Sequence, residues 1–258
     1  MLKDLLPPSL VRLAARPPIT WTGDLPDWRH AASSCEGYGD RSLHDRIERS
    51  ANEVIAARAA YERDGVCFTK PAAHWPLLGA CLLARPRNGD GAILDFGGSL
   101  ASAWLQHREL LGSMRWAIVE QPALVERGRR MFPSGNPGFF LDVDAAVAAV
   151  GRPDLAILSA VLSWIKNPEA VVEGVASAEP RWILIDRTGV CDRPRDRITV
   201  QRCRPPLPPS SYPCRFFAPD RIPSLLAPSY RLVLPVPCND ACNLAGCRFQ
   251  GWLFERCR

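Results

Sequence analysis

Four acids and a serine each follow a short apolar run in this chain. They are Asp95 after Ile93-Leu94, Glu120 after Ala117-Ile118-Val119, Asp142 after Phe139-Phe140-Leu141, Ser159 after Ala156-Ile157-Leu158 and Asp186 after Ile183-Leu184-Ile185. If the runs are parallel strands, all five residues lie at C-terminal strand ends, where open α/β sheets bind their ligands. Phe96-Gly97-Gly98-Ser99 follows Asp95; the glycines let the backbone turn sharply and approach a ligand closely, and the next helix starts with free N–H groups. Glu120 is placed to accept from ribose hydroxyls, at about 1.5–3 kcal/mol for each bond to a charged group. Asp142 suits the edge of an adenine, and Ser159 the point where the donor and acceptor of a transferred group meet. Asp186 can serve as a base and Arg187 as a clamp on an anionic or sugar substrate. Equally, the two can form an ion pair at the strand end.

The turn discriminates between nucleotides. A dinucleotide fingerprint needs G-x-G-x-x-G; here the positions are Gly97, Ser99 and Ser102, so two glycines are missing. A P-loop lysine is absent as well. Asp95-x-Gly97-x-Ser99-x-Ala101 instead follows the acid-first, alternating-small pattern of S-adenosylmethionine (SAM) sites. SAM carries an ammonium and a sulfonium and no phosphate, so an acid beside the turn attracts it where it would repel a pyrophosphate.

The elements that must carry these residues are readable from periodicity. Strands are expected over Gly91–Asp95, Arg115–Glu120, Phe139–Asp142, Asp154–Ser159 and Arg181–Asp186, with helices over Ala101–Leu111, from Pro122 and over Pro168–Ala178. Trp104, Leu105, Leu110 and Leu111 are assigned to the inner face of the first helix. This alternation implies a parallel sheet with helices on both faces. Tyr230–Val236 and Arg248–Phe254 read as a closing antiparallel hairpin after a short helix at Pro219–Leu226. Between Pro205 and Pro213 the prolines predict a stiff loop around Ser211-Tyr212-Pro213, with Tyr212 packed inside.

Upstream, Ser42-Leu43-His44-Asp45 reads as a capped helix start. The apolar spacing Leu43, Ile47, Ala51, Val54, Ile55, Tyr61 carries that helix to a stop at Gly65. A second helix is expected over Trp75–Leu83. Residues 1 to about 40 are broken by Pro7, Pro8, Pro17, Pro18 and Pro26 and read as an irregular but ordered cap; Leu10, Val11 and Leu13 form at most one amphipathic turn. The domain division is residues 1–88 as an N-terminal helical cap and 89–258 as the ligand-binding domain.

Composition narrows the class. The net charge of +5 is mild and its arginines are scattered, so no nucleic-acid surface is indicated. Ten cysteines in 258 residues are too sparse for a disulfide scaffold. Neither a signal peptide nor a run long enough to span a membrane is present, which predicts a cytoplasmic protein with reduced thiols. His30, His44, His74 and His107 have no metal-ligand spacing. Cys238, Cys242 and Cys247 lack a fourth ligand at standard spacing, so no metal is expected.

With these residues in place, the chain resembles a bacterial family assigned to the class I SAM-dependent methyltransferase superfamily and often associated with surface-polysaccharide gene clusters. The matching stretches are Trp21-x-Gly23, Gly37-Tyr38, Tyr61-Glu62-Arg63-Asp64, Leu94-Asp95-Phe96-Gly97-Gly98-Ser99-Leu100, Val119-Glu120-Gln121-Pro122, Leu158-Ser159-Ala160-Val161-Leu162, Ile185-Asp186-Arg187-Thr188 and Ser211-Tyr212-Pro213. Two positions depart from the family's pattern: Ala101, where glycine is usual, and Ser163-Trp164, where Gln-Tyr is usual. The resemblance implies a Rossmann-like α/β fold with a mostly parallel seven-stranded sheet. It also implies a SAM site that adds Phe96 and Gln121 to Asp95, Gly97, Gly98, Ser99, Glu120, Asp142 and Ser159. The expected activity is methyl transfer to a small or glycan-linked acceptor, at oxygen. The alternative is a catalytically inactive protein of the same fold that binds a partner in polysaccharide assembly.

Overall fold

The computed structural model describes residues 17–37, 41–87, 90–205, 207 and 209–257. The turn at Leu10, Val11 and Leu13 lies outside them. In chain order the elements begin with β1 (Ile19–Leu25), α1 (Trp28–Ala32), α2 (Arg41–Ile55), β2 (Tyr61–Arg63), β3 (Val66–Phe68) and α3 (Trp75–Ala84). Then come β4 (Ala92–Phe96), α4 (Ser102–Leu111), β5 (Arg115–Val119), α5 (Pro122–Met131), β6 (Gly138–Phe140), α6 (Val143–Val150) and β7 (Leu155–Ser159). After a 3-10 turn at Leu162–Trp164 follow α7 (Pro168–Ser177), β8 (Trp182–Cys191), β9 (Arg197–Cys203), β10 (Ser210–Phe216), α8 (Arg221–Leu226), β11 (Tyr230–Pro237) and β12 (Cys247–Arg256).

Seven strands form one sheet in the order β11-β12-β8-β7-β4-β5-β6. The five from β8 to β6 are parallel, and β12 runs antiparallel between β8 and β11. The middles of the parallel strands, such as Ile93-Leu94, Ala117-Ile118 and Ile183-Leu184-Ile185, are apolar because both faces are covered. Ile93, Leu105, Trp116, Ile118 and Ile157 pack on one side with α2, α3, α4 and α5. Leu94, Ala117, Leu158, Ile183 and Ile185 pack on the other with α6, α7 and α8. Pro122 and Pro168 open α5 and α7, where a missing N–H costs nothing.

Several expectations are corrected. The segment around Trp21 is not irregular: β1 pairs with β9, and β9 with β10, in a separate antiparallel sheet. Ser211-Tyr212-Pro213 is likewise a strand and not a loop. Because β10 is an edge strand, Pro213 opposite Val200 removes no interior ladder bond. Tyr212 is buried in the main core. Helix α2 begins at Arg41, so Ser42 lies inside it, and it ends at Ile55 with Ala57 in the left-handed conformation (φ 56°) and Arg58 N–H donating back to Glu53 O. Tyr61 is therefore in a strand, and Asp64-Gly65 (φ 52° and 76°) turns the β2–β3 hairpin. Leu110 is 58% exposed and faces outward, while Leu105 and Leu111 are buried. Strand β6 stops at Phe140, and Asp142 caps α6 instead of ending a strand. Strand β8 runs five residues past Asp186, so Asp186 ends only the part paired with β7.

Ala101 carries a further consequence. It is fully buried at the entrance to α4 with φ 66° and ψ 31°, a region that costs a residue with a Cβ about 1–2 kcal/mol. Ala101→Gly is expected to stabilise the protein by about 0.5–1 kcal/mol net of the larger unfolded-state entropy of glycine. Differential scanning calorimetry should show a rise of about 1–3 °C; an unchanged or lower midpoint would mean that the strain is absent.

Candidate functional site: a cleft at the C-terminal ends of the sheet strands

One cleft gathers Asp95, Gly97, Gly98, Ser99 and Ser159 with Arg187. The same cleft is lined by Glu62, Arg63 and Asp64, from a stretch the sequence had already marked, and by His74, Ser102, Gln106 and His107, which the sequence did not single out as site residues. Phe96, Glu120, Gln121, Asp142 and Asp186 are not on this lining. Phe96 packs against the core on the α6–α8 side, Gln121 sits before α5, and Asp142 is exposed with its carboxylate accepting from Ala145 N–H at 2.8 Å.

Glu120 lies one bond behind the cleft. Its Oε1 accepts from Ser99 N–H at 3.2 Å and its Oε2 from Gln121 N–H at 2.7 Å. These backbone donors fix the carboxylate at the end of β5, and burial pushes its pKa up while both bonds pull it down. The glycine turn is tight. Gly97 has φ 75°, and a Cβ there would lie 2.5 Å from Val161 Cγ2; one on Gly98 would lie 2.5 Å from Asp95 Oδ2. Only glycine lets the backbone pass between Asp95 and Val161.

Asp95 is 3% exposed, and burial raises its pKa to about 7 despite the hydrogen bond from Trp116 Nε1 at 3.1 Å. Glu62, 2% exposed, enters from the β2–β3 hairpin. It accepts from Ser102 Oγ and, at 3.1 Å, from Gly65 N–H, and burial raises its pKa too. The stacked rings of Tyr61 and Phe68, with centroids 4.5 Å apart, brace that hairpin.

Asp186 lies behind two lining residues, His74 and Ser159. It is 1% exposed; Oδ2 lies 3.0 Å from His74 Nε2 and accepts from Ser159 Oγ at 3.3 Å, while Oδ1 has no partner among the described residues. Arg187, in the left-handed conformation (φ 52°), is paired with Asp240 at 2.8 Å. His74 and Asp186 meet only through the fold, so periodicity could not join them; the one local signal was His74 preceding the Trp75-Pro76 helix start. Ser163 and Trp164, the departures from the family pattern, act outside the cleft. Ser163 Oγ accepts Gly189 N–H at 2.8 Å, and Trp164 Nε1 donates to Gln201 Oε1 at 2.9 Å. Cys238, Cys242 and Cys247 pack beside Trp21, Phe216 and Phe249. Among the described residues no three His, Cys, Asp or Glu side chains assemble as a metal site, and no helix is long and apolar enough to cross a membrane.

No family model and no curated protein matches the sequence. Among solved structures, the N-terminal domain of EvdMO1 with SAH bound aligns with a TM-score of 0.50 at 16% identity, over 85% of this chain and 98% of that one. A S-adenosylmethionine-dependent methyltransferase from Clostridium acetobutylicum ATCC 824 gives a TM-score of 0.49 at 9% identity, over 82% and 98%. The glycopeptide N-methyltransferase MtfA complexed with SAM gives 0.46 at 11%, over 72% and 94%. At these identities the likeness is one of fold: the mostly parallel seven-stranded sheet flanked by helices is the class I methyltransferase fold.

Proposed function

We propose that the protein binds SAM and transfers its methyl group to a small-molecule or glycan-linked acceptor, at oxygen. The observation that carries this reading is the Glu120 carboxylate, held by two backbone N–H groups against a glycine turn that any Cβ would fill. A carboxylate acceptor beside a turn that allows close approach suits a ligand with vicinal hydroxyls and a cationic end. Glu120 would hold the ribose. Gly97, Gly98 and Ser99 would let the ligand lie on the backbone, Asp95 would face its positive charge, and Phe96, Gln121 and Asp142 would border the adenine. Bound SAM supplies an electrophilic methyl group on a sulfonium; the residues of the chain supply position and proton transfer. Arg63, Asp64, Gln106 and Arg187 give the rest of the cleft a polar wall, which suits a saccharide acceptor.

In this reading residues 1–88 cap the 89–258 domain, the protein works in the cytoplasm, and its acceptor belongs to surface-polysaccharide assembly. The experiment is a thermal-shift titration with SAM, SAH and NAD. SAM at about 100 times its dissociation constant stabilises by roughly 2.7 kcal/mol, which raises the midpoint by about 5–10 °C. Glu120→Ala should abolish that rise, and NAD should produce none. Folded wild-type protein that responds to neither SAM nor SAH would overturn the proposal.

A further inference from the structure

We propose that His74 is the base that takes the acceptor's hydroxyl proton, with Asp186 and His107 as its positioning residues. The inference rests on the SAM reading above and extends it to the acceptor half of the reaction.

The geometry fixes a tautomer. Asp186 is acceptor-only as a carboxylate, and its Oδ2 lies 3.0 Å from His74 Nε2. The neutral ring therefore carries its proton on Nε2 and its lone pair on Nδ1, which has no hydrogen bond among the described residues. His74 lines the cleft beside Ser159 and Arg187. Its backbone is held as well: His74 N–H donates to His107 Nε2 at 3.0 Å, and His107 Nδ1–H donates to Ala103 O at 2.9 Å. His107 is 2% exposed, and burial lowers its pKa, so it stays neutral with this donor and acceptor arrangement. Ala103 and His107 lie on α4, which follows the glycine turn. The cofactor turn and the base are thus braced by one helix.

Burial suits Asp186 to orient an imidazole and to stabilise it once protonated, more than to meet substrate itself. In the step, the acceptor O–H bond breaks and its proton moves to His74 Nδ1. The oxygen electron pair forms the new bond to the methyl carbon, and the carbon–sulfur pair returns to sulfur, leaving a neutral thioether. The imidazolium then releases its proton to water. A base serves an acceptor atom that arrives protonated, as an alcohol oxygen does. The polar wall of Arg63, Asp64, Gln106 and Arg187 matches a polyhydroxylated alcohol.

Two measurements test this. The first uses the protein alone: nitrogen-15 NMR of its four imidazoles, assigned by single His→Gln variants, should show the Nε2-protonated tautomer for neutral His74, lost in Asp186→Asn. The Nδ1-protonated form in wild-type protein would overturn the assignment. The second measures transfer from methyl-labelled SAM to a panel of monosaccharides and methyl glycosides, with amines and thiols alongside, and SAM affinity by calorimetry. His74→Ala and His74→Gln should bind SAM within about threefold of wild type yet lose at least about 100-fold in transfer to hydroxyls. Added imidazole should partly restore the alanine variant. Transfer within threefold of wild type in both variants, transfer confined to amines or thiols, or SAM-binding wild-type protein that methylates no hydroxyl would each overturn the inference. Wild-type protein that does not bind SAM would instead overturn the reading beneath it.

Discussion

Asp95→Asn should raise the stability of the ligand-free protein at pH 8 and flatten its pH dependence between about 4 and 7. Asp95 has an ordinary pKa of 3.8 and a folded value of about 7, chiefly because burial penalises its charge. Between those values the native state holds a proton that the unfolded chain has released. Stability from this group is thus fully present below the unfolded value and lost as pH rises through about 7. The interval corresponds to an effect on the order of 4 kcal/mol at most, since one pKa unit is about 1.4 kcal/mol. Asparagine keeps an acceptor for Trp116 Nε1 and has no charge to bury, so at pH 8 a gain of about 2–4 kcal/mol is expected. Urea unfolding of both proteins at pH 5, 6, 7 and 8 checks it; parallel pH profiles would show that Asp95 titrates normally. The same burial gives the proposed cofactor a role. A cation beside Asp95 favours the carboxylate, so SAM binding near pH 6 should release a proton, visible as a buffer-dependent enthalpy in calorimetry.

The second large effect is expected at Gly251. This residue sits at the irregularity in the β12–β8 ladder, where the register slips between Gln250 and Trp252. A Cβ there would stand 2.5 Å from Ile185 O, 2.9 Å from Asp186 Cα and 3.1 Å from Asp186 Oδ1. The nearest atoms are main chain inside a seven-stranded sheet, which cannot yield as a side chain would. Gly251→Ala should destabilise by about 1–3 kcal/mol and move Asp186 away from His74. Denaturant midpoints and the His74 ring resonances would report the two consequences together. At Gly174, on α7, an added Cβ would meet no atom within 4 Å. There alanine should stabilise by about 0.5–1 kcal/mol through helix propensity. Equal responses at the two sites would show that crowding at Gly251 is not the cause.

The sequence alone determined what is local and repetitive. Ile93-Leu94, Ile118-Val119 and Ala156-Ile157-Leu158 read as buried parallel strands because both faces of such a strand are covered and no polar residue interrupts the run. The Asp95–Ser99 turn was equally legible, since its glycines are required by backbone conformation and close approach. Pro213 misled because an edge strand tolerates it: β10 holds it without losing an interior ladder bond. Tyr61-Glu62-Arg63-Asp64 continued a helical spacing, yet the left-handed Ala57 ended that helix first and freed the segment to pair with β3 and bring Glu62 into the cleft. What only the tertiary structure decided is which distant side chains meet. His74 on Asp186, His107 under His74, and β1 against β9 are contacts between elements far apart in the chain. No periodicity encodes them; they exist because helix α3 packs over the ends of strands whose order is set by burial of the whole sheet.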